Sequence, residues 1–196
     1  MDFILDFLQS AGIAAAIGVR PLLPVGLTGG LAAADLGVDF GGTDYAFLEE
    51  PWFLAVVAVV VIGLWLATRR ARPEVIERGW AAYATAAVAG PLALLEGAGS
   101  MADRGHPVWV GMVVGLVCVS IGLAASASLF ARVRRRLDPE AASFLPLFGE
   151  GAAFVACGLS ILFPPLALLV LGGLLWLLFG SRRREGEKYA GLRILR

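Results

Sequence analysis

Charge, histidine and reactive clusters are scarce in this sequence. Of 196 residues only 16% are charged, one is histidine and two are cysteine. His106 has no Cys, His or acidic cluster at ligand spacing around it, so a zinc centre built on three or four ligands is not expected. Cys118 and Cys157 both fall inside apolar runs, where a small hydrophobic side chain of a helix is the reading and a disulfide framework is not. No nucleophile stands with a base, no glycine loop precedes a phosphate-binding lysine, and no paired carboxylates suggest acid–base work. An enzyme is therefore not expected, nor a cofactor or a metal. Sixteen basic and sixteen acidic residues cancel, which leaves no global field for nucleic acid. The opening MDFILDFLQS carries acids where a signal peptide has a positive n-region, so it reads as mature chain.

Apolar residues are abundant instead. They make up 59% of the chain, and the mean hydropathy is +0.81, far above a soluble domain. The expected fold is all-α, a polytopic membrane helical bundle. About 20 apolar residues cross the roughly 30 Å hydrocarbon layer, and seven segments qualify: about 3–18, 21–37, 51–68, 79–97, 107–131, 140–160 and 164–180. The first is short and carries Asp6, Gln9 and Ser10, so it reads either as a span or as a re-entrant or interfacial helix. Pro21, Pro51, Pro107, Pro139 and Pro165 open helices. Pro91 sits inside one beside Gly90 and predicts a kink or a break. The stretch DLGVDFGGTDYAFLEE reads as a polar loop with a short interfacial turn around Tyr45 to Phe47.

Basic residues set orientation, because Lys and Arg stay on the cytoplasmic side while acids matter little. Seven crossings from an outside N-terminus gather all sixteen basic residues except Arg104 on one side. These are Arg20, the groups 69–78 and 132–136, and the tail from Arg182. Asp39, Asp44, Glu49, Glu50 and Asp103 collect opposite. The expected location is the bacterial cytoplasmic membrane, with the C-terminus inside.

An internal repeat is suggested by two matches. SAGIAAAIGVR resembles SIGLAASASLFAR, and EEPWFLAVVAVVVIGLWLATRR resembles FPPLALLVLGGLLWLLFGSRRR, with Trp65 and Trp176 near the inner ends. The division is then 1–70 as a first three-helix repeat, 71–106 as a cytoplasmic loop and linker helix, and 107–196 as a second three-helix repeat with a basic tail. Odd-plus-odd counts give both units one orientation, as in parallel-repeat transporters. Low complexity in apolar helices produces similar matches, so both explanations stand. Gly26 with Gly30, Gly111 with Gly115, and Ala82, Ala86 with Gly90 are spaced for close helix approach, within the bundle or in a homo-oligomer.

Ionisable groups at membrane depth are functional candidates, since insertion costs roughly 2.5–3.5 kcal/mol at a helix centre. Glu150 stands out, flanked by Gly149 and Gly151. Counting about 1.5 Å per residue from Pro139 puts it near the midplane. It reads either as an ion or substrate group or as a protonated structural acid. Arg20 follows a short first helix and precedes the free N–H groups of the second. That makes an anion site, a partner for Glu150, or an ordinary positive-inside loop arginine. Ser126 is a weaker binding candidate, because it and Ser128 bond the preceding turn in most helices. Asp6, Asp35 and Glu96 fall near the outer boundary by residue count and are expected to be solvated. Arg132, Arg134, Arg135, Arg136, Arg182, Arg183 and Arg184 are candidates for anionic lipid headgroups, at about 1 kcal/mol per charge.

At AGIAAAIGVRPLLPVG and RRRLDPEAASFLPLFGEGAAF, over most of its length, the chain resembles the bacterial membrane family known as domain of unknown function 4126. Gly18, Arg20 and Pro24 match that family's first motif, and Pro139, Glu140 and Glu150 match its second. The chain departs from it in lacking a charged residue in the third helix and in having Gly151 where a second acid often follows. The resemblance implies a multi-pass inner-membrane protein whose activity is not established. Two function classes remain. One is a small-solute or ion transporter using Glu150 or Arg20. The other is a non-transporting membrane subunit or lipid-interacting scaffold of a larger complex. An aqueous cavity at Glu150 favours the first, and a dry centre the second.

Overall fold

Helix 1 is the axis of the molecule. The computed structural model describes residues 2–68 and 79–190, and within them α1 (Asp2–Val19) is enclosed by its neighbours. Every residue from Ala11 to Gly18 is buried. Small side chains on all sides suit a helix that is packed on all sides, because they let several backbones approach at once. The segment with the weakest apolar pattern is thus the best buried one, and its polar residues sit at one end, where Asp6 and Gln9 meet partners.

The other elements are α2 (Leu22–Ala32), a 3₁₀ turn at Ala46–Leu48, α3 (Pro51–Thr68), α4 (Trp80–Asp103), α5 (Val108–Arg134), α6 (Pro139–Ser143), α7 (Leu145–Leu162), a second 3₁₀ turn at Pro164–Leu166, and α8 (Ala167–Ala190). No strand occurs among the described residues. Trp80–Asp103, Val108–Arg134 and the 23 residues Glu140–Leu162 are long and apolar enough to cross a membrane; the remaining apolar helices are shorter. The eleven-residue α2 covers only about 16 Å.

Contacts along α1 fix the helix directions. His106 meets Asp6 while Gly18 meets Gly122, so α1 and α5 run parallel. Gly12 lies against Ser160, and Arg20 against Gly149, so α7 is antiparallel. Gly97 on Gly111 and Ala93 on Gly115 make α4 antiparallel to α5. At the α1–α5 crossing a Cβ on Gly18 would come 3.0 Å from the Gly122 Cα, and one on Gly122 would come 2.9 Å from the Gly18 Cα. Only paired glycines permit that approach.

Several expected packing faces shift. Gly111 and Gly115 are used as their spacing suggests, against α4. Gly26 and Gly30 face open space. On α4 the buried small residues include Ala89, Ala93 and Gly97, whereas Ala82, Ala86 and Gly90 are only half-buried. Pro91 lies inside a single α4 that continues through it. The loop after α2 is less polar in effect than in composition: Val38, Phe40 and Leu48 are buried, with Phe40 and Leu48 on Gly99. Large apolar side chains such as Val59, Phe148, Leu169 and Trp176 cover the outside of the bundle, each more than 70% exposed. That exterior fits hydrocarbon, not water.

Candidate functional site

The break between α1 and α2 is one end of the site. Pro21 prevents α1 from continuing, and the first N–H groups of α2 have no helical partners. Glu150 of α7 supplies the partner, its Oε2 accepting from the Leu23 N–H at 3.0 Å. A carboxylate at a helix N-terminus also complements the macrodipole. Arg20 lies beside it, with its guanidinium carbon 5.1 Å from the Phe130 ring centroid, in cation–π range. Its Nε is buried with no hydrogen-bond partner. Gly149 makes the room: a Cβ there would be 2.7 Å from Phe130 and 3.3 Å from the Arg20 Nε. Burial works to lower the Arg20 pKa; Glu150 opposes this by attraction, and Arg134 adds to it.

Arg20 and Glu150, chosen separately from the sequence, therefore share one junction, and Glu150 itself holds the helix end read as an anion site. The expected depth of Glu150 changes. The helix expected from Pro139 is divided at Phe144, which places Glu150 early in α7, level with the end of α1 and not midway along it. Ser126 is buried and its Oγ donates to the Leu123 carbonyl at 3.1 Å, a bond within its own helix. Arg132 turns back onto protein, its Nε donating to Ser128 O at 3.1 Å and its Nη2 to Leu177 O at 3.4 Å. Arg135 and Arg136 are exposed. The side chains of Arg182, Arg183 and Arg184, and all of 69–78, lie outside the described residues.

The opposite end of α1 is a paired cluster. Asp6 is 2% exposed, which overturns its expected solvation. Its Oδ1 is 3.3 Å from Arg104 Nη1 and its Oδ2 is 3.1 Å from His106 Nε2. Gln9 donates to the Gly37 carbonyl at 2.8 Å. Asp6 departs from its expected setting because its partners, about 100 positions away, cannot be read from local pattern. Asp35 is exposed as expected, in a turn with φ +53°.

Glu96 overturns a second expectation. It is 0% exposed, and neither carboxyl oxygen has a hydrogen-bond partner. Its sequence signal was a lone acid at the expected end of the 79–97 segment, and residue count alone puts it at the surface. The chain continues as α4 to Asp103, which leaves Glu96 two turns inside.

Two apolar grooves open on the exterior, one along Leu147, Gly151, Val155 and Val170 and one along Phe7, Trp109, Val113 and Val117. Neither is lined by Arg20, Glu150 or Glu96. No three His, Cys, Asp or Glu among the described residues gather as a metal site. The fold and surface define an integral membrane protein. No family model matches the chain, and neither a curated protein nor a solved structure proved similar to it.

Proposed function

We propose that this is a multi-pass protein of the bacterial cytoplasmic membrane with transporter-like architecture, moving an ion by way of the Arg20–Glu150 junction. The observation that carries the reading is a half-buried arginine whose buried Nε is unpartnered, beside a carboxylate seated on a broken helix end. Discontinuous helices whose termini meet ions are the recurring form of transporter sites. Neither of the two exterior grooves is lined by Arg20 or Glu150, which counts toward the second reading below.

Seven crossings, an outside N-terminus and paired three-helix units belong to the same proposal. The fourteen residues from Asp6 to Arg20 rise about 21 Å, so a short helix is enough to pass between the two polar ends. The chain from Arg20 to Gly37 does so, since Gly37 meets Gln9 and Arg104. Arg104, the one basic residue on the far side, is neutralised by Asp6 and Asp103, which fits the positive-inside rule.

The second reading, a non-transporting subunit or lipid-binding scaffold, is favoured by the glycine-to-backbone packing at the centre. Proteoliposomes separate the two. Ion or proton flux carried by the wild-type chain and lost in Glu150→Gln supports transport. Equal flux in wild-type and empty vesicles supports the scaffold. External cysteine labelling that reaches 39–50 and fails at the C-terminal tail supports the orientation, and the reverse pattern inverts it.

A further inference from the structure

We infer that Glu96 is a proton-binding site, buried on α4 where that helix packs against α1, α3 and α5 and distinct from the Arg20–Glu150 junction. Both of its oxygens lack partners, although the side chain is 0% exposed. An ionised carboxylate left so would be an uncompensated charge in apolar surroundings, whereas a carboxyl carrying a proton is neutral there. A second orphan lies on the facing helix, beside the next residue of α4. The Ser10 hydroxyl of α1 is fully buried without a partner and lies 3.3 Å from where a Cβ on Gly97 would stand. Two unpartnered oxygen-bearing groups on facing helices are not what a purely structural core keeps, since each unmade bond costs about 1–3 kcal/mol.

The surroundings select a proton over a metal. Cys157 of α7 lies within electrostatic reach of Glu96, and its Sγ is 3.8 Å from the Pro24 carbonyl. Thr28 of α2 is buried and donates to that same carbonyl. No second carboxylate or cation is placed against Glu96 among the described residues. On the elements around it the titratable and charged groups are Asp2 and Asp6 of α1, Cys118, Arg132 and Arg134 of α5, Glu150 and Cys157 of α7, and Glu49 after the first 3₁₀ turn; Asp6 is held in its own ion pairs and Glu150 on the Leu23 N–H, and α2 and α3 carry none. A hard cation needs about six oxygen ligands, and one carboxyl with one hydroxyl falls well short. A proton needs only one. Phe40 and Leu48, packed one turn further along α4 on Gly99, close the site toward the Asp6 end.

This inference stands whether or not the Arg20–Glu150 junction moves an ion. The test is modification of the full-length protein in proteoliposomes by dicyclohexylcarbodiimide, which adds to protonated carboxyls in apolar places, with peptide mass spectrometry to locate the adduct. Labelling is expected at Glu96, unaffected by sodium, falling about tenfold per pH unit once the site titrates. A parallel infrared measurement is expected to show a carboxylic-acid C=O band that disappears as pH rises and that Glu96→Gln removes. Protection by sodium at fixed pH would overturn the inference in favour of a cation site. A Glu96 band that does not change across mildly acidic to alkaline pH would overturn it in favour of a sealed structural acid.

Discussion

The two ends of α1 carry similar charges and use them differently. At the Asp6 end the carboxylate has two cationic or polar partners, Arg104 and His106, and Gln9 closes the neighbouring loop onto Gly37. The partner groups come from α1, the α4–α5 turn and the chain after α2, so this cluster ties three segments together. At the Arg20 end the arginine leans on Phe130 with its Nε unpartnered, and Glu150 is bonded to backbone instead of to a cation. Matched charges at one end and mismatched ones at the other teach that the first holds the fold and the second is available for change. Stability alone would select the first arrangement at both ends, because a buried unsatisfied donor is costly.

Substitutions sharpen that contrast. The largest loss is expected between the ends, where Gly122→Leu must push α5 off α1 and lower stability by about 3 kcal/mol or more, read as a fall in melting temperature in detergent. Asp6→Ala comes next, at about 2 kcal/mol, because it strips hydrogen bonds from charged partners; Arg104, 43% exposed, regains water and limits the cost. Glu150→Ala removes the acceptor of the Leu23 N–H at the start of α2 and is expected to cost about 1 kcal/mol. Gly26→Ala, facing open space, is expected to change stability by less than about 1 kcal/mol, with the sign stabilising. If Glu150→Ala proved more damaging than Asp6→Ala, the assignment of the two ends would be reversed.

Helix positions were largely legible because apolar runs bounded by proline map directly onto them; α3 begins at Pro51 and α6 at Pro139 as the punctuation indicates. That Arg20 and Glu150 share one junction was legible as one option among three, since a helix break and an acid in an apolar run each mark themselves locally, but the bond Glu150 makes there, to the Leu23 N–H, was not. What pattern could not supply was which helix is central. Ala and Gly read as a weak hydrophobic signal, yet smallness is what places α1 inside. The same blindness hid Asp6 and Glu96. Depth was inferred from distance to a helix end, and the environment of a side chain depends on neighbours that only the tertiary contacts bring.

The contrast between the ends is tested most directly by measuring flux and melting together for Asp6→Asn and Glu150→Gln in the same proteoliposomes. The account predicts that Asp6→Asn lowers the melting temperature and leaves ion flux per folded molecule intact. Glu150→Gln is predicted to melt close to the wild type and lose flux at least about tenfold, a barrier change of roughly 1.4 kcal/mol. Unchanged flux in Glu150→Gln, with its only effect on melting, would contradict it.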